Sequence, residues 1–244
     1  MIISQADFER YTAYWLRVVV QEDPQPLNDC FLNPDKSLMT YVAFPADTIG
    51  YLVSTVGAVS VQARFVVVNS GLQRESPYFA LVLYAADAVG SPVSAYYLSN
   101  PQGSQQDPPV ELTVSTGTAL NAVQVPHYLA RTWLSNWAAG GHLNQAAFTT
   151  KYGTLQGYNF SIGNFMQTLF DAQPEKDTLD TRELHMGLCL HQYYSAANSQ
   201  EPTYTFGLVA RLQALLDTPG DPGERTRQSG EPFFDMSTPC PPNI

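Results

Sequence analysis

The 244-residue chain sets 12 Lys and Arg against 22 Asp and Glu, a formal net charge of −10. That balance excludes a nucleic-acid-binding face, which must be basic to meet phosphates, and an anionic membrane surface. Charged residues are 14% of the chain, where a soluble domain has about 25%.

The only lysines are Lys36, Lys151 and Lys176, so Ser, Thr, Gln, Asn and Tyr must supply the polar surface. Protein interfaces share this bias: poor in Lys and Glu, rich in Tyr, Trp, Phe and Arg. The three cysteines, Cys30, Cys189 and Cys240, are too few and odd in number for a disulfide framework. Met1 to Asp7 has neither the basic nor the apolar region of a signal peptide. No apolar run approaches the roughly 18 residues that would span a bilayer. The expectation is a cytoplasmic protein with reduced thiols.

Ser4 is placed to cap a helix, with Asp7 three residues later favourable to its dipole. Phe8, Tyr11, Trp15 and Val18 follow at helical spacing, and the helix must stop before Pro24. Residues 22–37, with Pro24, Pro26 and Pro34, read as an ordered loop. A short strand is expected over Leu38 to Ala43. Pro45 then starts a helix whose buried face is Ile49, Leu52, Val53 and Val56, with Gly57 at its C-terminal cap. Val59 to Asn69 and Tyr78 to Asp87 are apolar runs of strand length, and Val93 to Leu98 continues them. Their short connections imply an antiparallel meander.

Ser99 to Pro109 is a linker, and Val110, Leu112 and Val114 suggest one more half-buried strand. Pro126 starts a helix carrying Leu129, Trp133, Leu134 and Trp137, which Gly140-Gly141 ends. From there the earlier order returns. Tyr14-Trp15-Leu16 corresponds to Thr132-Trp133-Leu134, Phe44–Val53 to Phe160–Phe170, and Tyr78-Phe79 to Tyr204–Phe206. The expected fold is α+β: an internally duplicated helix-helix-strand-strand unit, its antiparallel sheet covered by helices on one face. One sheet or two is left open. The units are 1–98 and 126–216, with 99–125 a linker and extra strand and 217–244 a flexible arm.

The arm is polar from Thr218 to Gly230, too poor in apolar residues to offset its ordering entropy. Apolar character resumes at Phe233, Phe234 and Met236 before Pro239-Cys240-Pro241-Pro242. Two adjacent phenylalanines on such an arm need a place to dock, either on their own body or on a neighbouring copy. Insertion in a neighbour is the expectation, with Phe233, Phe234, Met236 and Cys240 as the interface. The terminal Pro-Cys-Pro-Pro, with a helix and strand pair before it, resembles a group of small uncharacterised bacterial proteins similar to one unit of this chain. Proteins of that group often carry another Cys just beyond the motif; here Asn243 and Ile244 follow. The resemblance implies no activity.

Metal-ligand residues concentrate in His185-Met186-Gly187-Leu188-Cys189-Leu190-His191. On a strand, His185, Cys189 and His191 share one face. Two of them reach one ion, short of the three protein ligands zinc needs, so no metal and no cofactor are expected. There is no Gly-x-Ser-x-Gly elbow, Ser-x-x-Lys or phosphate loop. Asp29 beside Cys30 should raise that thiol's pKa. No catalytic residue is assigned. Tyr96-Tyr97 and Tyr193-Tyr194 are candidates for a sugar platform, with one member of each pair exposed if neighbours face opposite sides. The leading reading is a non-enzymatic protein that binds itself or another protein. The alternative is a small-ligand or carbohydrate-binding domain, or an enzyme whose site assembles only in the fold.

Overall fold

The computed structural model describes residues 1–69, 76–101, 124–140, 143–163, 165–166, 182–195, 198–214, 233–234 and 238–239. The strand expected over Val110 to Val114 lies outside these residues, as does most of the 217–244 arm. Strand β1 (Ile2–Ile3) precedes helix α1 (Gln5–Val19). Ser4 Oγ accepts from the Asp7 amide at 3.1 Å and donates to Asp7 Oδ2 at 2.7 Å, closing the cap in both directions. Helix α2 (Gln25–Cys30) forms inside the segment read as a loop. Pro26 falls in its first turn, where a missing N–H costs nothing, and the helix buries Leu27 and Cys30.

Strand β2 (Tyr41–Pro45) runs directly into helix α3 (Ala46–Val53). Ser54 caps α3, so Val56, expected on its buried face, lies beyond the helix and is exposed, and Gly57, at φ +82°, sits further along in the turn that follows. Next come β3 (Ser60–Val68), β4 (Tyr78–Ala86), β5 (Tyr96–Leu98), β6 (Asn100–Pro101) and β7 (Gln124–Val125). Helix α4 (His127–Ala138) and a 3-10 turn (Gln145–Phe148) lead to β8 (Thr149–Thr150), β9 (Gly153–Thr154) and β10 (Gly157–Ser161). The long hairpin is β11 (Arg182–Ser195) with β12 (Asn198–Ala214), and β13 (Phe233–Phe234) and β14 (Thr238–Pro239) follow. The protein is therefore α+β, and its strand pairings among the described residues are antiparallel.

The strands make two six-stranded sheets and a small hairpin, β8–β9. The first sheet has the order β1-β5-β4-β3-β10-β14 and the second β6-β2-β11-β12-β13-β7. Each contains a strand from the other half of the chain. β10 lies beside β3, with Phe160 opposite Val61. β2 lies beside β11, with Phe44 opposite Leu184.

The pleat decides which side chains meet. Val61, Ala63, Phe65 and Val67 of β3 join Phe79, Leu81 and Leu83 of β4 in one buried cluster with Leu184, Met186, Leu188 and Leu190 of β11 and Phe206 and Leu208 of β12. Phe206 meets Phe65 edge-on at 5.2 Å across the sheets. The alternate residues of β3 and β4, among them Val66, Val68, Tyr78, Val82 and Tyr84, face away and pack with Tyr11 of α1. Cys189 and Val209 likewise face away and pack under α4.

Both long helices pass from an outer face into the shared core. Phe8 and Tyr11 of α1 serve the outer cluster, while Trp15 meets Phe31, Phe65, Phe79 and Phe148 inside. Trp15 Nε1 donates to the Leu155 carbonyl at 3.0 Å. In the reverse direction, Trp137 of α4 meets Phe31 and Phe206, and its Nε1 donates to the Met39 carbonyl at 2.7 Å. The acceptors match too: the Met39 amide donates to Phe31 O at 2.7 Å and the Leu155 amide to Phe148 O at 2.8 Å. Trp133, which the sequence pairs with Trp15, instead lies on the outer face of the second sheet, one helical turn earlier.

Candidate functional site

The arm returns to its own chain. Phe234 pairs with Ala210 of β12 and with Gln124 of β7, and Phe233 pairs with Val125. Thr238 and Pro239 pair with Asn159 and Tyr158 at the edge of the first sheet. Of the four arm residues expected at a partner interface, Phe233 and Phe234 are thus placed by backbone pairing in the second sheet. Within the single chain this is the fold-back arrangement of the two considered. Met236 and Cys240 lie outside the described residues.

The three metal-type side chains of β11 share the outer face but not a site. Cys189 is fully buried among Val125, Ala130 and Val209. His191 stacks on Trp133 at 4.0 Å. Its ring lies so close over Gly207 that a Cβ there would sit 2.5 Å from Nε2. Among the described residues no group of three His, Cys, Asp or Glu side chains could hold a metal ion. Cys30 is buried as well, and burial first, then the Asp29 charge, pushes its thiol up to about 12.

His185 belongs to a different neighbourhood, one the sequence did not single out. Its ring stacks on Tyr41 at 4.4 Å, and its Nε2 lies 3.4 Å from Glu183 Oε2. Arg211, itself buried, is its direct neighbour across the β11–β12 ladder. Burial, then the Arg211 cation, lowers the His185 pKa to about 4, while burial raises that of Glu183. The imidazole is therefore neutral at neutral pH, and its contact with Glu183 is not an ion pair. The spacing of Glu183 and His185 was readable as a shared strand face; Tyr41 and Arg211 join only through ladder register.

The exposed feature is the outer end of the β11–β12 hairpin. β2 pairs with β11 only as far as Gly187, and the Leu188 amide then donates to the Thr40 carbonyl at 2.9 Å. Asn136 of α4 adds one more bond, Nδ2 to the Leu190 carbonyl at 3.2 Å. Leu190 opposite Phe206 is the last pair in the shared core. The hairpin then runs on, with Tyr193 opposite Thr203 and Tyr194 opposite Pro202. Tyr193 is 47% exposed and Tyr194 59%. Both members of this pair are exposed, against the expectation of one, because the ribbon outruns its sheet and has solvent on both faces. Tyr96 and Tyr97 behave otherwise: Tyr96 stacks on Phe8 at 4.4 Å, and Tyr97 packs against the shared core.

No family model, curated protein or solved structure matches this chain. Among the described residues no helix is long and apolar enough to cross a membrane.

Proposed function

We propose that this chain is a non-enzymatic protein that associates with itself or with another protein, and that it is built as two copies of one unit. The observation that carries the association is the tyrosine-bearing end of the β11–β12 hairpin, exposed on both faces beyond the last core pair. Large aromatic side chains with a polar tip are characteristic anchors of protein interfaces. Each ring is left about half exposed, which is apolar area that an interface would remove from water.

The duplication is supported by ladder equivalence. β2 stands to β11 as β10 stands to β3, with Phe44 matching Phe160 in both ladders. The crossed tryptophan bonds support it further, with Trp15 matching Trp137. In this reading the first unit lends β2 to the second unit's hairpin and the second lends β10 to the first's, and each long helix covers one outer face. The experiment is mass measurement of the full chain by light scattering as concentration rises. Mass above one chain's is the expected result, and a single-chain mass throughout refutes association.

A second reading rests on the Tyr41, Glu183, His185 and Arg211 group. A neutral imidazole beside a carboxyl group of raised pKa, with a cation alongside, is the kind of perturbed cluster found at ligand and catalytic sites. Small-molecule or saccharide binding that is lost in His185→Gln, with an unaltered fold, would favour it.

A further inference from the structure

The outer edges of a sheet invite pairing with other chains, and proteins blunt them with short strands and prolines. This protein does so almost throughout. β1 and β7 are two residues long, β6 ends at Pro101 and β14 at Pro239. On the far side of the projecting hairpin, Pro202 leaves β12 without an N–H at that position. The β11 side is different. From Met186 to Ser195 it has no proline, lysine or carboxylate.

The direction of its backbone groups follows from two bonds already made. The Leu188 amide and the Leu190 carbonyl both point away from β12, toward Thr40 and Asn136. Backbone groups alternate sides along an antiparallel strand, so those of Gln192 and Tyr194 point the same way. Among the described residues neither has a ladder partner on that side.

We propose that this edge of β11, centred on Tyr193, pairs antiparallel with the same edge of a second copy of the chain. The inference rests on the association reading above and names its site and partner. Charge selects the partner. Two chains of −10 repel at most places where their surfaces meet, and like charges directly opposite in a ladder are destabilising. The Met186–Ser195 strip holds no lysine, arginine or carboxylate, so two copies meet here without that opposition. The edge is also self-complementary, as a two-fold interface requires. With Tyr193 on the axis, Gln192 faces Tyr194 of the second copy, and each such pair exchanges both backbone bonds. The exposed Tyr193 and Tyr194 rings are covered in the same step.

Two variants of the full chain test this. Tyr194→Pro removes an N–H that the β11–β12 ladder does not use. It should weaken the dimer by about tenfold or more, the equivalent of one to two hydrogen bonds, with circular dichroism unchanged. Tyr193→Cys, in a Cys240→Ser background, should form a disulfide-linked dimer on mild oxidation. Non-bonded antiparallel neighbours have Cα atoms about 4.5 Å apart, within the span of a disulfide. A cysteine at exposed Val56 is the control and should stay unlinked. A dimer that survives Tyr194→Pro unchanged and gives no Tyr193→Cys cross-link overturns this edge but leaves association standing. A monomer at every concentration overturns both. A monomer that pairs at Tyr193 only with a different, added protein overturns the second copy as the partner.

Discussion

Replacing Trp137 with Phe removes one strut between the two halves and keeps an aromatic ring. Trp137 is fully buried, and its Nε1–H donates to Met39 O at 2.7 Å. The substitution leaves a buried carbonyl without this donor, at about 1–3 kcal/mol. The smaller ring also leaves a cavity against Phe31 and Phe206, which adds about 1 kcal/mol. The expected loss is about 2–4 kcal/mol, read as a lower urea midpoint by circular dichroism with an unchanged slope. Trp15→Phe breaks the reciprocal bond to Leu155 and should cost the same to within about 1 kcal/mol. Both tryptophans touch Phe31, so the double variant should depart from the sum of the singles. A loss below about 0.5 kcal/mol for Trp137→Phe, the range of ordinary surface substitutions, would refute the account of the crossed struts.

The pKa of His185 is lowered to about 4 in the folded chain from 6.5, so the unfolded chain binds more protons between those values and stability is lost as pH falls from 6.5 toward 4. At pH 5 this term is about 2 kcal/mol; Glu183, with its raised pKa, works in the opposite sense, so the readout is the difference between the wild type and His185→Gln in parallel denaturation curves. Gly157→Ala should abolish soluble folded protein, because at φ +148° the added Cβ would lie 2.1 Å from the Ala63 carbonyl and force β10 off β3. Recovery of the variant at wild-type stability would contradict that register. Cys30, its pKa pushed up to about 12, should resist thiol reagents in the native chain and react on unfolding, as followed by mass spectrometry.

The elements that sequence made legible are those where local chemistry suffices. Ser4 and Asp7 form the expected cap, and the apolar runs around Phe65 and Leu81 form β3 and β4 within a residue or two of their expected ends. Alternation also placed His185, Cys189 and His191 on one face of β11. What failed depends on long-range pairing. Nothing local to Phe44 or Phe160 says that each joins the other half's hairpin. The Thr-Trp-Leu around Trp133 imitates the Tyr-Trp-Leu around Trp15, but the helix enters the core one turn later, at Trp137. Helix α2 was hidden by prolines that suit its first turn as well as a loop. Tyr193 and Tyr194 are both exposed because β11 outruns β2, a matter of relative strand length. Arg211 reaches the His185 group through a register that only the folded hairpin sets.

Light scattering of the intact chain, followed across rising concentration beside Tyr194→Pro, tests the association account most directly. The account predicts a mass that climbs to that of two chains, with the climb displaced to higher concentration by the proline. One chain's mass throughout, for a wild type whose circular dichroism shows it folded, would contradict it.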